Sequence, residues 1–244
     1  MSDIIAIIPA RSGSKSLIDK NIKLLSGHPL IAYSIAAARL SRKIERIIVS
    51  TNSEKYADIA RRYGAEVPFI RPDRYSKDTS TDRDFLIHAM KWIKDNEHNE
   101  HNEPEYWVHL RPTTPLRIPK IIDDAINIIK DDESSTSLRS GHKAPESPLK
   151  WFIKSDKYFK GLIDNEKYNL NRGSFEQVYI PDGYVDILKA SYMLNNKKIH
   201  GDQMICFESP VCTEVDSTEE FDYIQYQINK NESLLLDHLN KITG

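Results

Sequence analysis

Between Pro9 and Asn21 the sequence gathers side chains that suit a polyanion. Arg11, Lys15 and Lys20 are three cations at short spacing, and Ser12 and Ser14 add hydroxyls around one glycine, Gly13. Glycine permits backbone angles that turn successive N–H groups into one concavity. A triphosphate carries about four negative charges near pH 7, so holding it takes several cations and converging N–H donors. The stretch is not a Walker A loop, because G-x-x-x-x-G-K-[ST] is missing. It is not a G-x-G-x-x-G dinucleotide loop, because it has a single glycine. By spacing alone it also suits a solvated loop with a few basic residues. Far along the chain, Glu214 and Asp216 form an i, i+2 carboxylate pair. On an extended turn such a pair points one way, which suits a hard cation with oxygen ligands. Asp216 or Ser217 equally suits a helix N-cap ahead of Thr218-Glu219-Glu220. His109 and the other histidines show no pairing with a nucleophile, so Ser-His hydrolysis is not supported. The tract from Glu97 to Glu103 is low in complexity and is read as a solvated loop rather than a metal tract.

These groups need a scaffold. Ile4-Ile5-Ala6-Ile7-Ile8 is apolar without alternation, which predicts a strand buried on both faces. Further strands are predicted at Ile47–Thr51, Glu66–Ile70 and Tyr106–Leu110. Helices are predicted at Pro29–Leu40, Glu54–Tyr63, Asp82–Asp95 and Ile118–Lys130. This alternation predicts an α/β fold with a doubly wound, mostly parallel sheet. Such sheets bind ligands beyond the carboxyl ends of their strands, so the loops after Ile8, Thr51, Ile70 and Leu110 are expected to hold the site. After about residue 134 the segments become short, polar and rich in tyrosine. The division expected is 1–134 with 201–244 as the α/β domain and 135–200 as an inserted arm. A strand-like run at Gln203–Glu208 and helices at Thr218–Ile228 and Ser233–Leu239 close the chain.

Composition narrows the class. The chain has 244 residues and a net charge of −2, which removes the bulk-charge argument for nucleic-acid binding. Hydrophobic content of 39% and aromatic content of 9% argue for a folded protein. No run approaches the 18 apolar residues of a membrane span. The start lacks a basic n-region, so a secretory signal is not expected. Two cysteines, Cys206 and Cys212, exclude a disulfide framework and a four-thiolate metal site. The expectation is a cytoplasmic protein, with no nucleic-acid or membrane partner.

Three stretches carry a resemblance. Ile4 to Lys15 continuing to Asp19-Lys20-Asn21-Ile22 is similar to the opening signature of the cytidylyltransferases that activate acidic sugars, the acylneuraminate (CMP-sialic acid) synthetases in particular. His109 to Arg117 resembles their L-Q-P-T-S-P-L-R segment. Glu214-Val215-Asp216-Ser217 resembles their acidic-x-Asp-Thr turn. The resemblance implies a Rossmann-like nucleotidyltransferase fold and transfer of CMP from CTP to an acidic 2-keto-3-deoxy sugar. Pyrophosphate leaves and Mg²⁺ is required. A neighbouring nucleotidyltransferase with another nucleotide, sugar or sugar phosphate is the alternative. The resemblance implies phosphate contacts from Arg11, Lys15 and Lys20, backbone donors from Gly13 and Ser14, nucleotide-binding places for Ala10 and Ser12, and a ribose or phosphate contact from Asn21. Arg71 is implied near the cytosine, with Thr79 and Ser80 in a turn that contacts the base. Asp216 and Glu214 are implied at the metal, with Arg11, Lys20 and Asp216 as the catalytic set. Arg111, Thr113, Lys150, Arg172, Gln177 and Tyr184 are implied at the sugar. In relatives the arm builds a homodimer and reaches the partner's sugar pocket.

Two departures stand out. Arg111 occupies the place of the family's Gln, and Asp182 and Asp186 add negative charge to the segment that replaces N-G-A-I-Y-I. An added cation beside the sugar pocket could recognise a further carboxylate or alter the sugar's pose. A sialic, legionaminic, pseudaminic or related keto-deoxy sugar is expected.

Overall fold

The computed structural model describes residues 4–14, 17–97, 104–163 and 166–243. The apolar opening forms β1 (Ile4–Pro9). Ile4, Ala6 and Ile8 face one core, while Ile5 and Ile7 face another. Burial on both faces is why the run does not alternate. A hairpin of β2 (Leu24–Leu25) and β3 (His28–Pro29) leads into α1 (Leu30–Leu40). There follow β4 (Arg46–Ser50), α2 (Glu54–Arg62), α3 (Asp82–Asn96), β5 (Tyr106–His109) and α4 (Pro119–Asp131). The later chain supplies β6 (Ser137–Lys143), β7 (Phe152–Ser155), β8 (Tyr158–Gly161) and β9 (Tyr179–Lys189). It ends with α5 (Ala190–Asn195), β10 (Met204–Glu208), α6 (Thr218–Lys230) and α7 (Leu234–Thr243).

The six-stranded sheet runs β10-β6-β9-β5-β1-β4. β1 is parallel to β4 and β5, and β6 is parallel to β10. β9 runs antiparallel to both its neighbours and joins the two parallel parts. Residues of α1, α4, α6 and α7 cover one face, and residues of α3 and α5 cover the other. The expected doubly wound, mostly parallel architecture is present, with one reversed strand. No helix among the described residues is long and apolar enough to cross a membrane.

Two expectations change. Glu66–Ile70 is not a strand: Glu66 alone makes a bridge, to Ile48. Pro68 has no N–H to donate, and Phe69 turns into the α3-side core. Within 135–200, β6 and β9 belong to the central sheet, and the segment that stands off it is 144–178, with the β7–β8 hairpin. Polar residues disguise these strands. Asp182 is buried, and accepts from Ser140 Oγ at 2.7 Å, from Tyr184 N at 3.0 Å and from Ser209 Oγ. Burial pushes its carboxyl up, but these donors, led by Ser209, outweigh that and hold it below the ordinary carboxylate range. Of the low-complexity tract, Glu97 caps α3 and takes Arg46 Nη1 at 2.6 Å, while residues 98–103 lie outside the described residues.

Candidate functional site

A cleft of about 500 Å³ opens at the carboxyl ends of β1 and β5. It is where the sheet rule places a ligand. Its wall includes Arg11, Ser14, Lys20 and Asn21 from the loop after β1, and Arg71, Tyr75, Lys77 and Ser80 from the loop before α3. Thr81, Asp82 and Phe85 come from the start of α3. Arg111 and Thr113 follow β5, and Asp216 precedes α6. The loops are tied to strand ends and to one another by backbone hydrogen bonds. Ala10 N donates to Ser50 O at 2.9 Å, Arg71 N to Thr51 O at 2.7 Å, and Val215 N to Thr113 O at 2.8 Å. Gly13 adopts φ +78°, a left-handed angle that lets the first loop turn under its cations.

Several of the cleft's charges are paired. Arg11 Nη1 lies 2.8 Å from Asp78 Oδ1. Lys20 Nζ lies 2.9 Å from Asp216 Oδ1 and donates to the Val215 carbonyl at 2.9 Å. Arg111 lies between two carboxylates, with Nη1 2.9 Å from Asp186 Oδ2 and Nη2 2.9 Å from Asp82 Oδ2. Arg71 differs. It is buried, and its Nε and Nη2 find no acceptor among the described residues. Burial, then the nearby Arg11 charge, lowers its pKa to about 10. Arg117 is also buried, and donates to the carbonyls of Arg111, Gly183, Tyr184 and Thr114 and to Ser34 Oγ. It staples the 111–117 loop to β9, and burial lowers its pKa to about 10.

The expected residues divide. Arg11, Ser14, Lys20, Asn21, Arg71, Ser80, Arg111, Thr113 and Asp216 share the cleft wall. Asn21 Nδ2 braces the loop by donating to Arg11 O at 3.0 Å. Ser12 turns away, with its N and Oγ both donating to Asn52 Oδ1. Ala10 is buried, and Gly13 and Thr79 are not part of the wall. Lys15 lies outside the described residues. Glu214 stands behind the wall, half-buried, where a Cβ on Gly183 would meet its Oε1 at 2.8 Å. Lys150 pairs with Glu146 at 2.6 Å, Gln177 Nε2 donates to Val178 O at 2.8 Å, and Arg172 is exposed on a short turn. All three belong to the 144–178 segment, away from this cleft. Tyr184 is core: its hydroxyl accepts from Ile118 N at 2.6 Å, because β9 turns it toward the start of α4. Asp182 is likewise internal, and Asp186 reaches the cleft only through Arg111. Sequence analysis missed Phe85, Tyr75 and Lys77 as wall residues. Phe85 follows Asp82 by one helical turn, so i, i+3 spacing could have found it; no comparable signal marks Tyr75 or Lys77.

Comparison with known proteins bears on the family and the fold. The sequence profile of the cytidylyltransferase family matches residues 5–192. The N-acylneuraminate cytidylyltransferase of Escherichia coli O18:K1:H7 is 32% identical over 232 residues, which is 93% of this chain and 53% of that protein. The CMP-N,N'-diacetyllegionaminic acid synthase of Legionella pneumophila is 42% identical over 127 residues, covering 52% of this chain and 53% of that protein. The chain spans about half the length of these curated relatives. Among solved structures, CMP:2-keto-3-deoxy-manno-octonic acid synthetase in complex with CTP superposes with a TM-score of 0.71 at 15% identity, over 94% of this chain and 99% of that one. A cytidylyltransferase from Leptospira borgpetersenii gives 0.62 at 13% identity, over 100% of this chain and 94% of that one. These likenesses show a shared fold. The profile runs from β1 into α5, including the cationic loop and the loop after β5 that carries Arg111, and the chain therefore belongs to the cytidylyltransferase family.

Proposed function

We propose that this protein transfers CMP from CTP to an acidic 2-keto-3-deoxy sugar of the sialic-acid type. The observation that carries this is the meeting of Arg11, Lys20, Arg71 and Arg111 in one cleft with Asp216. In the reaction the sugar's anomeric oxygen attacks the α-phosphorus of CTP. The bond from that phosphorus to the bridging oxygen breaks, and pyrophosphate leaves. The hydroxyl proton passes to a base, for which Asp216 is the candidate. Phosphoryl-group transfer relies mostly on positioning and charge neutralisation. Arg11 and Lys20 are assigned to the phosphates, Arg71 to the cytosine region, and Arg111 and Thr113 to the sugar side. Arg111 is held by two carboxylates, so it serves the sugar as a fixed donor rather than as a mobile free charge.

The donor set also fits Mg²⁺. Among the described residues no cluster of three or more His, Cys, Asp or Glu forms a cage. Mg²⁺ at nucleotide sites is commonly held by one or two carboxylates plus substrate phosphates. Asp216 is the carboxylate at the cleft that fits this mode, with Glu214 behind it. When bound, Mg²⁺ would neutralise charge on the phosphates and on the departing pyrophosphate.

We also assign the 144–178 segment to pairing of two copies. It exposes Trp151, Phe152, Ile153, Tyr158 and Phe159 on and beside one hairpin. Lys150, Arg172 and Gln177 would then approach the partner's sugar pocket. Sedimentation of the protein and of a Phe159→Ser variant measures this, and a monomer at micromolar concentration counts against it.

The activity test is pyrophosphate release from CTP and Mg²⁺ with a panel of N-acetylneuraminate, legionaminate, pseudaminate and 2-keto-3-deoxy-octonate. The product is identified by mass spectrometry. Silence with every sugar sinks the assignment. Among nucleoside triphosphates, CTP should raise the melting temperature most.

A further inference from the structure

Lys20 and Asp216 contact each other although both are assigned to the reaction. The lysine is rooted: its side chain is 11% exposed, and Nζ is tethered to the Val215 carbonyl at 2.9 Å. The carboxylate is open, with a side chain 66% exposed, and Oδ1 lies 2.9 Å from the ammonium. One carboxylate thus faces two claimants, an internal cation and a divalent ion. We propose that Lys20 is a built-in counter-ion that keeps Asp216 from binding a divalent metal until nucleotide arrives, so that metal and triphosphate bind as a unit. This rests on the cytidylyltransferase assignment above.

The physics is competition followed by relief. An ammonium and a divalent cation repel when they share the same oxygens, so metal alone meets a site already neutralised. A triphosphate brings negative charge enough for both. Lys20 then shares its charge with the phosphates from its tethered position, and Asp216 becomes free for the metal. Arg11 is held in the same way by Asp78, 2.8 Å away, so the phosphate loop has a second pair to exchange. Metal and nucleotide must then favour each other's binding by the same factor.

The probe is Mn²⁺, read as the free-ion EPR signal with the full chain and with protein-free CTP as control. The unmodified protein should bind Mn²⁺ weakly alone and more tightly with CTP. Lys20→Met should raise Mn²⁺ affinity without CTP by roughly fivefold. The gain should vanish in Lys20→Met/Asp216→Asn, and the Mn²⁺–CTP coupling should shrink by a similar factor. Lys20→Gln keeps a donor for the Val215 carbonyl and serves if the Met variant does not fold, as judged by melting. Affinities of both variants within about twofold of the unmodified protein overturn the counter-ion role alone. If CTP draws no Mn²⁺ to the unmodified protein, the cytidylyltransferase assignment fails, and this proposal with it.

Discussion

The guanidinium of Arg71 lies over the ring of Phe85, 5.4 Å from its centroid. Its Nε and Nη2 are buried and lack an acceptor among the described residues. A buried cation with unmade hydrogen bonds costs stability, and it is already in place for a ligand that brings acceptors. Arg71→Met should therefore raise the melting temperature by about 2–4 °C, the equivalent of about 1 kcal/mol in a chain of this size. CTP affinity should fall by about tenfold or more, as expected for losing a charge-assisted hydrogen bond. Calorimetric melting and titration measure both. A drop in melting temperature with unchanged CTP affinity would assign Arg71 to packing instead.

Arg111 and Asp186 form a pair across the cleft wall. Asp186 has a side chain only 2% exposed, and its further basic neighbour Arg139 is 3.7 Å away. Removing the arginine leaves the carboxylate buried with weaker compensation. Arg111→Gln should cost about 2–3 kcal/mol, below the full loss seen when a buried ion pair is broken outright. Asp186→Asn in the same background should recover about 1 kcal/mol or more, because the stranded charge is gone. Urea denaturation of the four proteins closes the cycle. Additive effects of the two changes would show that the pair is not coupled.

Periodicity made some of this legible in the sequence and hid the rest. β1, β5 and α3 were readable because their apolar residues repeat with the spacing of buried strand or helix. The cleft followed from knowing where such sheets end. Phe85 was readable only as core, and it is both: 3% exposed, yet part of the wall. Strand β9 was obscured by Asp182, Gly183 and Asp186. Asp182 and Asp186 take donors from Ser140 and Arg111, which lie 42 and 75 residues away in sequence. Spacing along the chain carries no record of pairings across a sheet, so Asp186 could be noticed as a departure but not placed. Arg117 was quoted within a motif, but its part in holding four carbonyls needed the fold.

Glu214 gives a pH prediction. Burial, then the neighbouring charge of Asp216, pushes its carboxyl above the ordinary carboxylate range, against Arg111 and Arg117. The native state then holds the proton more tightly than the unfolded chain does. Its contribution to stability is present in acid and is lost as pH rises through the native value. Glu214→Gln removes that loss. The variant should melt above the parent at pH 7, and the gap should close as pH falls toward 4. A gap that is constant with pH, or that opens in acid, counts against this placement of the carboxyl.

Gly183 links Glu214 to Arg111. It adopts φ +61°, and a Cβ there would meet Glu214 Oε1 at 2.8 Å and Arg111 Cδ at 3.2 Å. Gly183→Ala therefore adds backbone strain of about 1–3 kcal/mol and presses on both side chains. Urea denaturation should show the loss. Shortening the obstructing side chain in Gly183→Ala/Glu214→Ala should recover the contact part and leave the strain part, since φ is unchanged. The displaced wall is the Arg111 side of the cleft, whereas Arg11 and Lys20 stand on another loop. KM for the sugar should rise more than the Kd for CTP, as seen by comparing steady-state rates with calorimetric titration. Equal weakening of both would mean that the β9 turn supports the whole cleft rather than the sugar side.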